Sequence, residues 1–549
     1  MQRRSFLHLL LVAGSPVIGG PHLRQGHGGQ AARAQSGLPA VASAKAGESI
    51  VETTHGKWRG RADAGLHIFK GIRYGADTSR RRFLSPVSPT PWTGVRDAIE
   101  FGPIAPQASN SGRVMSEDCL HLNVWTPGLR DNARRPVMVW FHGGAYSSGT
   151  SNETETDGAR LSRRGDVVVV TVNHRLNALG YLHLAEFDPM FADSGNAGQL
   201  DLILALEWVR DNIAEFGGNA ANVTIFGHSG GGAKSATLMA MPGAAGLFHR
   251  VITQSGQQIT ASRIETANRH AAALVTALGL DRSTIGQLRT LPLQQIIKVS
   301  RVPPYLGPVK DGRLLPRDPF DPDAPPQSAH IPMILGNTKG ETRTLIGRGD
   351  PSLFLLTWET LKAKLEANSP FMGSLDRGEV IAKYREWHPE YSPTDVFFAA
   401  TTDSRSWRGQ VIEADRRAAQ SGLPAVGSAK AGAAPTYVFQ FDWPTPIDGG
   451  KWGAHHGLDV PFVFHNAAIT PHFVGTGPEP LALADTMSSA WIAFARTGNP
   501  NVEGLPAWPA FDLTRRATMV FNRESRVVDD PRGRERRLFG QVPYVQPGT

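Results

Sequence analysis

One stretch near the middle of this 549-residue chain constrains its fold more than any other. Residues 222–232 read Asn-Val-Thr-Ile-Phe-Gly-His-Ser-Gly-Gly-Gly. The β-branched and aromatic run Val223–Phe226 predicts a short buried strand, and helix-compatible residues follow from Ala233 onward. The G-x-S-x-G pattern at 227–231 has small neighbours that permit a tight strand-to-helix turn with an exposed serine hydroxyl. The alternative is an ordinary Gly-rich turn, since the chain contains 59 glycines.

The segments around this turn alternate between apolar strands and amphipathic helices. Val137–Phe141 and 166–172 are continuous apolar runs, whereas 200–216 has helical spacing. Such strands, alternating with such helices, predict an α/β fold with a mostly parallel central sheet covered by helices on both faces. Further strands are predicted at 51–60 and 66–74 (an opening hairpin), 120–125, 251–255, 332–336 and 436–442.

The rest of the chain is predicted to cover and close this sheet. The charged segments 265–300 and 350–420 have helical character, and we interpret them as inserts packed over the sheet around the pocket mouth. A last helix over 482–497 is predicted to close the fold before a Pro-rich tail. The segment Ala34–Gly47 recurs at Ala419–Gly432 with one change, and both copies are expected to be flexible connectors.

The N-terminus has the features of an export signal. Arg3 and Arg4 precede an apolar stretch that continues to Ile18, and Ala32-Arg-Ala34 offers a cleavage site. We expect residues 1–34 to be a signal peptide of twin-arginine type, with a general secretory signal as the alternative. A flexible lead-in at 35–48 and a single domain at 49–549 would follow, in a periplasmic or secreted bacterial protein.

Charge, hydropathy and residue spacing indicate which partners and cofactors the chain is not expected to bind. Residues 1–34 hold four arginines and no acid, so they carry half of the formal net charge of +8. No long basic run remains, so nucleic acid is not expected as a partner. The chain contains no run of 18 apolar residues, so no membrane span is predicted. No metal-ligand spacing occurs, and no cofactor is expected.

A serine nucleophile also needs hydrogen-bond donors for the oxyanion, a base and an acid. Phe141-His-Gly-Gly-Ala145 is a second small-residue loop at a strand end, 85 residues before the serine. Its order relative to the G-x-S-x-G turn resembles that of the α/β-hydrolase fold. We therefore expect Ser229 as nucleophile and the backbone N–H groups of Gly144, Ala145 and Gly230 as oxyanion donors.

Several longer motifs resemble type B carboxylesterases, the family of bacterial para-nitrobenzyl esterases and cholinesterases. The matching stretches are spread over about 50–520 and comprise Ser116–Pro127, the His-Gly-Gly loop, Gly195–Asp201, Trp208–Asn219, the serine turn, Gln254–Gly256 and Phe462–Phe464. The resemblance implies an α/β-hydrolase with helical inserts over the active site that hydrolyses small carboxylic esters through an acyl-enzyme. An amidase, lactonase, polyester hydrolase or non-catalytic binding protein on the same fold is the alternative.

The same resemblance implies the other catalytic residues. The family acid falls on Glu341, with Asp311 and Asp403 as rivals, and the family base falls on His456, with His455 as its rival. Ser255 is either a support for the acid or an ordinary strand-end serine.

Two positions depart from the family pattern. His228 stands where relatives commonly carry glutamate, which argues against a cationic choline ester and leaves the alcohol side of the substrate open. His228 is also a weaker rival base, because the turn is expected to direct it away from Ser229. Cys119 lacks the partner cysteine of the family disulfide and is expected to be a buried free thiol.

Overall fold

A computed structural model describes residues 49–109, 112–420 and 433–546 of the chain. The strands are β1 (Ser49–Thr53), β2 (Gly56–Asp63), β3 (Leu66–Arg73), β4 (Val95–Asp97), β5 (His121–Thr126), β6 (Arg135–Phe141), β7 (Val168–Val172), β8 (Gly218–His228), β9 (Arg250–Gln254), β10 (Ser262–Arg263), β11 (Val309–Lys310), β12 (Met333–Thr338), β13 (Thr436–Phe441), β14 (Ala517–Phe521) and β15 (Arg526–Asp529).

The α-helices follow the same order. They are α1 (Ala159–Gly165), α2 (Asn177–Tyr181), α3 (Ala197–Asn212), α4 (Gly230–Leu238), α5 (Ile264–Ala277), α6 (Leu293–Val299), α7 (Glu341–Leu345), α8 (Trp358–Asn368), α9 (Arg377–Trp387), α10 (Pro393–Thr402), α11 (Arg408–Ala419), α12 (Val460–Val463), α13 (Pro471–Val474), α14 (Pro478–Thr497) and α15 (Gly533–Phe539). A π-helical turn, Asp403–Trp407, joins α10 to α11.

The sheet confirms the predicted α/β architecture. Its main strand order is β1-β2-β3-β5-β7-β6-β8-β9-β12-β13-β14-β15. The central strands from β7 to β14 pair in parallel. Along the main order, the strands at both edges pair antiparallel, and β4 pairs with β2 in parallel beside this path. Because the central strands are parallel, the carboxyl ends of β6, β8, β12 and β13 lie at one edge of the sheet. The predicted site residues follow three of those ends directly, and His456 lies in the connection after β13.

Hydrophobic cores lie on both faces of this sheet. Along β6, Val137, Val139 and Phe141 pack into one core, while Met138 and Trp140 pack into the other. The first core takes its helical cover from α3 and the second from α14. Strands buried on both faces explain why these segments are continuously apolar.

Three sequence predictions need correction. The predicted opening hairpin is three antiparallel strands, β1 to β3. The helix after the serine begins at Gly230 and not at Ala233, since tertiary packing overrides the low helix propensity of glycine. The prediction that the helix ending at Thr497 closes the fold is wrong, because β14, β15 and α15 follow it. β14 and β15 extend the sheet beyond β13.

Other predictions are confirmed or fall outside the described residues. The segments 265–300 and 350–420 are largely helical. Cys119 is a fully buried free thiol. The export signal at 1–34, the lead-in at 35–48 and nearly all of both repeat copies lie outside the described residues. No helix in the described ranges is long and apolar enough to cross a membrane.

Candidate active site

Ser229 occupies a strained turn between β8 and α4. Its backbone has φ 55° and ψ −125°. Residues other than glycine rarely adopt this conformation, which typically costs about 1–3 kcal/mol. The turn is held because the Ser229 N–H donates to the Gln254 carbonyl at 2.7 Å, and the Ser229 carbonyl accepts from Ala233 N at 3.0 Å. The hydroxyl is thereby presented at a half-buried position at the carboxyl edge of the sheet.

The glycines after the serine are required by close backbone contact. A Cβ atom on Gly230 would lie 2.2 Å from the Ala145 carbonyl oxygen, and one on Gly231 would lie 1.9 Å from the Phe141 oxygen. Neither distance is compatible with a side chain. The G-x-S-x-G turn therefore packs directly against the His-Gly-Gly loop, which brings the three predicted oxyanion donors together.

Hydrogen bonds fix the peptide planes of that loop. The Gly143 carbonyl accepts from His142 Nδ1 at 2.8 Å, and the Gly144 carbonyl accepts from Ser147 N and Ser148 N at 3.2 and 3.0 Å. In a trans peptide the C=O and the following N–H point in opposite directions. Fixing these two carbonyls therefore fixes the directions of the Gly144 and Ala145 N–H groups.

Glu341, the first residue of α7, is fully buried three residues after β12 ends. One carboxylate oxygen, Oε2, contacts His456 Nδ1. The other, Oε1, accepts from Ser255 Oγ at 2.6 Å and from Thr338 N and Oγ1 at 2.8 and 2.9 Å. Burial alone would raise the pKa of Glu341, but His456 and Ser255 lower it to about 2. The carboxylate is therefore ionised at neutral pH.

The structure brings His456 to Glu341, and it turns His455 away. A carboxylate oxygen only accepts, so His456 Nδ1 carries the hydrogen and Nε2 has a free lone pair. His455 Nδ1 instead lies 3.0 Å from the His456 carbonyl, and its ring packs edge-on against Phe473. Burial lowers the pKa of His455 to about 4.

The rival acids lie in other networks. Asp311 accepts from backbone N–H groups of its own loop and from Asn196. Asp403 bonds to Tyr384 and Arg532. The Ser229 hydroxyl takes no part in the hydrogen bonds that join Ser255, Glu341 and His456 among the described residues. Such catalytic hydrogen bonds commonly tighten only when substrate binds.

His228 lies against the ring of His456, with the two centroids 4.3 Å apart. Its Nε2 is buried and has no hydrogen-bond partner among the described residues. Burial, followed by the charge of His456, holds the pKa of His228 well below its ordinary value, so its ring is neutral. His228 contacts neither Ser229 nor Glu341 by a hydrogen bond.

Sequence reasoning missed two residues that support this group. Thr338 supplies two of the hydrogen bonds to Glu341. In the sequence, its position at the end of an apolar strand was the only feature that could have pointed to this role. Asp459, three residues after His456, is buried and accepts from Gln254 Nε2 at 2.7 Å. Burial raises the pKa of Asp459 to about 6, against the lowering effect of that bond.

The C-terminal segment also reaches this region. Gln546 Oε1 accepts from Ile259 N at 2.7 Å, and its Nε2 donates to the Gln257 carbonyl at 3.1 Å. The Gln257 side chain in turn donates to Asn337 Oδ1 at 3.0 Å, and Asn337 Nδ2 lies 3.5 Å from Glu341 Oε1.

Comparisons with known proteins identify one family. The model of the carboxylesterase family matches residues 47–538. The para-nitrobenzyl esterase of Bacillus subtilis is 34% identical, over 89% of this chain and 98% of its own. The phenmedipham hydrolase of Pseudarthrobacter oxydans is 31% identical, over 87% and 96% of the two chains.

Solved structures show the same likeness. The Geobacillus stearothermophilus carboxylesterase EST55 superposes with a TM-score of 0.79 at 38% identity, over 89% of this chain and all of its own. An esterase from Clostridium hathewayi, whose description says that it can hydrolyse aliphatic aromatic polyesters, superposes with a TM-score of 0.72 at 34% identity. The matched regions cover 90% of this chain and 98% of that one.

Proposed function

This chain belongs to the carboxylesterase family, and we propose that it hydrolyses esters with Ser229 as nucleophile, His456 as base and Glu341 as orienting acid. The protein is a carboxylic-ester hydrolase of the serine esterase type. The observation that carries the residue assignment is the contact of Glu341 with His456 Nδ1, which leaves Nε2 available as a base at the carboxyl edge of the sheet.

The reaction has two stages in this proposal. Ser229 Oγ attacks the ester carbonyl while its proton passes to His456 Nε2, and collapse of the tetrahedral intermediate delivers that proton to the leaving alcohol. Water then attacks the acyl-enzyme, with His456 taking and returning a proton in the same way. Glu341 stays ionised throughout, which holds the imidazole tautomer and stabilises the imidazolium.

The N–H groups of Gly144, Ala145 and Gly230 would stabilise the oxyanion in both stages. Support comes from the contact between the two glycine-rich turns and from the fixed peptide planes described above. Losing one such donor typically costs about 2.7–4 kcal/mol of transition-state stabilisation.

We propose neutral esters as substrates. A neutral imidazole, His228, stands beside His456, so no carboxylate there attracts a cationic alcohol group. The names of the relatives support a wide choice of alcohol: para-nitrobenzyl esters for one, phenmedipham for another and polyesters for a third. Amide and lactone cleavage would use the same groups.

The test is a hydrolysis series on the purified chain. It compares p-nitrophenyl esters of increasing acyl length with matched anilides, a lactone and an aliphatic-aromatic polyester film. In a separate measurement, the nucleophile is labelled with a fluorophosphonate, and the labelled peptide is identified by mass spectrometry. We expect ester turnover to dominate and the phosphonyl group to sit on the Ser229 peptide. Labelling of another residue, or faster cleavage of anilides than of esters, would contradict the proposal.

We also propose that residues 1–34 direct export to the periplasm or the medium. The support is the pair Arg3–Arg4 ahead of an apolar stretch and the Ala32–Ala34 site. The test is a fusion of residues 1–40 to a reporter that is active only after export. Export should fail when both arginines are replaced by lysine if the twin-arginine route operates; a cytoplasmic reporter with the wild-type segment would refute export.

A further inference from the structure

Lys234 is a fully buried lysine on α4, five residues after Ser229. Its Nζ donates to the His142 carbonyl at 3.1 Å and to the Ala145 carbonyl at 2.9 Å. These carbonyls lie at the two ends of the loop that holds the Gly144 and Ala145 N–H groups. The single Nζ atom of Lys234 therefore bridges both ends of the proposed oxyanion loop.

No carboxylate balances this charge within the described part of the chain. Among the described residues, the one aromatic contact of Nζ is with the ring of Tyr146, 5.6 Å from its centroid. Burial lowers the pKa of Lys234 to about 7, with no opposing effect from an acid. Burying an ammonium without an ionic partner is costly, typically several kcal/mol. A buried leucine or methionine at this helix position would fill space without that cost.

The bridge completes the hydrogen bonding of the loop. The Gly143 carbonyl is held by His142 and the Gly144 carbonyl by two serine N–H groups, as described above. With Lys234 on the carbonyls of residues 142 and 145, four successive carbonyls are held from the protein side. The peptides that carry the Gly144 and Ala145 N–H groups are therefore held together with the peptides on either side of them.

We propose that Lys234 is a positioning residue for ester hydrolysis, and the proposal rests on the oxyanion assignment of the proposed function. Its Nζ clamps the loop 142–145 so that the Gly144 and Ala145 N–H groups keep one direction. When Lys234 is protonated, its positive charge also favours the anionic tetrahedral intermediate over the neutral ester. Lys234 acts through the loop backbone and does not touch the substrate. No bond to it forms or breaks during the reaction.

Two substitutions separate the components of this role. Lys234→Met keeps the length of the side chain but removes both hydrogen bonds and the charge. Lys234→Gln keeps an amide donor within reach of one carbonyl and removes the charge. We expect kcat to fall by about 100-fold for the methionine variant and less for the glutamine variant, with KM changed less than threefold, because oxyanion donors act on the transition state.

A matched control on the same helix is Ser235→Ala, which removes a buried hydroxyl that donates to the Gly231 carbonyl. It should lose stability without the loss of kcat. Binding of a trifluoromethyl ketone, which forms a tetrahedral oxyanion adduct, should weaken in the Lys234 variants by the same factor as kcat. Thermal unfolding of all three variants reports whether they fold.

Two outcomes would overturn the inference. One is folded Lys234→Met enzyme with wild-type kcat and ketone affinity. The other is a rise in KM with unchanged kcat, which would assign Lys234 to ground-state binding. Ser229→Ala enzyme, measured in parallel, distinguishes a failure of the proposed function: retained activity there refutes the serine mechanism, whatever the Lys234 variants do.

Discussion

The imidazole rings of His228 and His456 lie in contact, with their planes inclined at 49°. The proposed base therefore sits between a carboxylate on its Nδ1 side and a neutral, desolvated ring on one face. Glu341 contacts the Nδ1 side of His456, while His228 offers its ring no carboxylate and no hydrogen bond. The side chain before the nucleophile thus sets part of the electrostatic environment of the base.

Replacement of His228 by glutamate should shift the pH dependence of the reaction. A carboxylate against His456 favours the imidazolium, and an opposite charge within about 4–6 Å shifts a pKa by about 1–3 units. We expect the acidic limb of the kcat/KM profile to move to higher pH by about one unit. His228→Gln, which adds no charge, is the matched control and should leave the limb in place; identical profiles for both variants would argue against the contact.

The two adjacent histidines should differ sharply. His456→Ala removes the group bonded to Glu341 and should lower kcat by about 10⁴-fold or more, as loss of a triad member does. His455→Ala removes a ring that faces Phe473 and should change kcat less than tenfold. Steady-state hydrolysis of one p-nitrophenyl ester by both variants decides the assignment, and the reverse ranking would make His455 the base.

Ser255 should contribute through Glu341. Ser255→Ala removes the 2.6 Å bond to Oε1 and leaves the two bonds from Thr338. A hydrogen bond to a charged group is worth about 1.5–3 kcal/mol, so we expect a loss of that size in the free energy of unfolding and a fall in kcat of about tenfold. Denaturant unfolding and hydrolysis rates are the measurements. If the Ser255→Ala variant keeps the wild-type free energy of unfolding and the wild-type kcat, Ser255 is an ordinary strand-end residue.

Glu413 should make stability depend on pH. This α11 residue is fully buried; Oε1 accepts from Gln258 N at 2.7 Å, and Oε2 has no partner among the described residues. Burial raises its pKa to about 8. Between about pH 4.5 and 8 the folded state keeps a proton that the unfolded state releases, so this residue's contribution to stability falls as pH rises, by about 1.4 kcal/mol per unit.

The test is Glu413→Gln, which is neutral at every pH. Its free energy of unfolding relative to wild type should increase from pH 5 to pH 8, as measured by denaturant titration at each pH. Glu413→Asp keeps an acid at this position and should keep the wild-type slope. A constant difference between the wild type and the glutamine variant would show that Glu413 is ionised in the folded protein.

The sequence was most informative where chemistry restricts the choice of residue. The turn at Ser229 needs small neighbours, and the central strands must be apolar on both faces, so both features could be predicted. The position of Lys234 could not, because a lysine at helical spacing normally predicts a solvated face. The strands β14 and β15 were also missed, since β14 spans only five residues and the side chains of β15 are largely exposed. β14 is a strand because it pairs with β13, and β15 is a strand because it pairs with β14. These pairings depend on residues outside the two segments, so the local sequence does not predict them.

The contacts of Gln546 have a consequence for the order in which the protein matures. Ribosomes add residues from the N-terminus, so Ser229, Glu341 and His456 are all synthesised before β14, β15 and the segment that carries Gln546. Gln546 bonds to the backbone of Gln257 and Ile259. The Gln257 side chain bonds in turn to Asn337, which lies 3.5 Å from Glu341 Oε1. The backbone at Gln257 and Ile259 is therefore held by a segment that is synthesised after all three proposed catalytic residues.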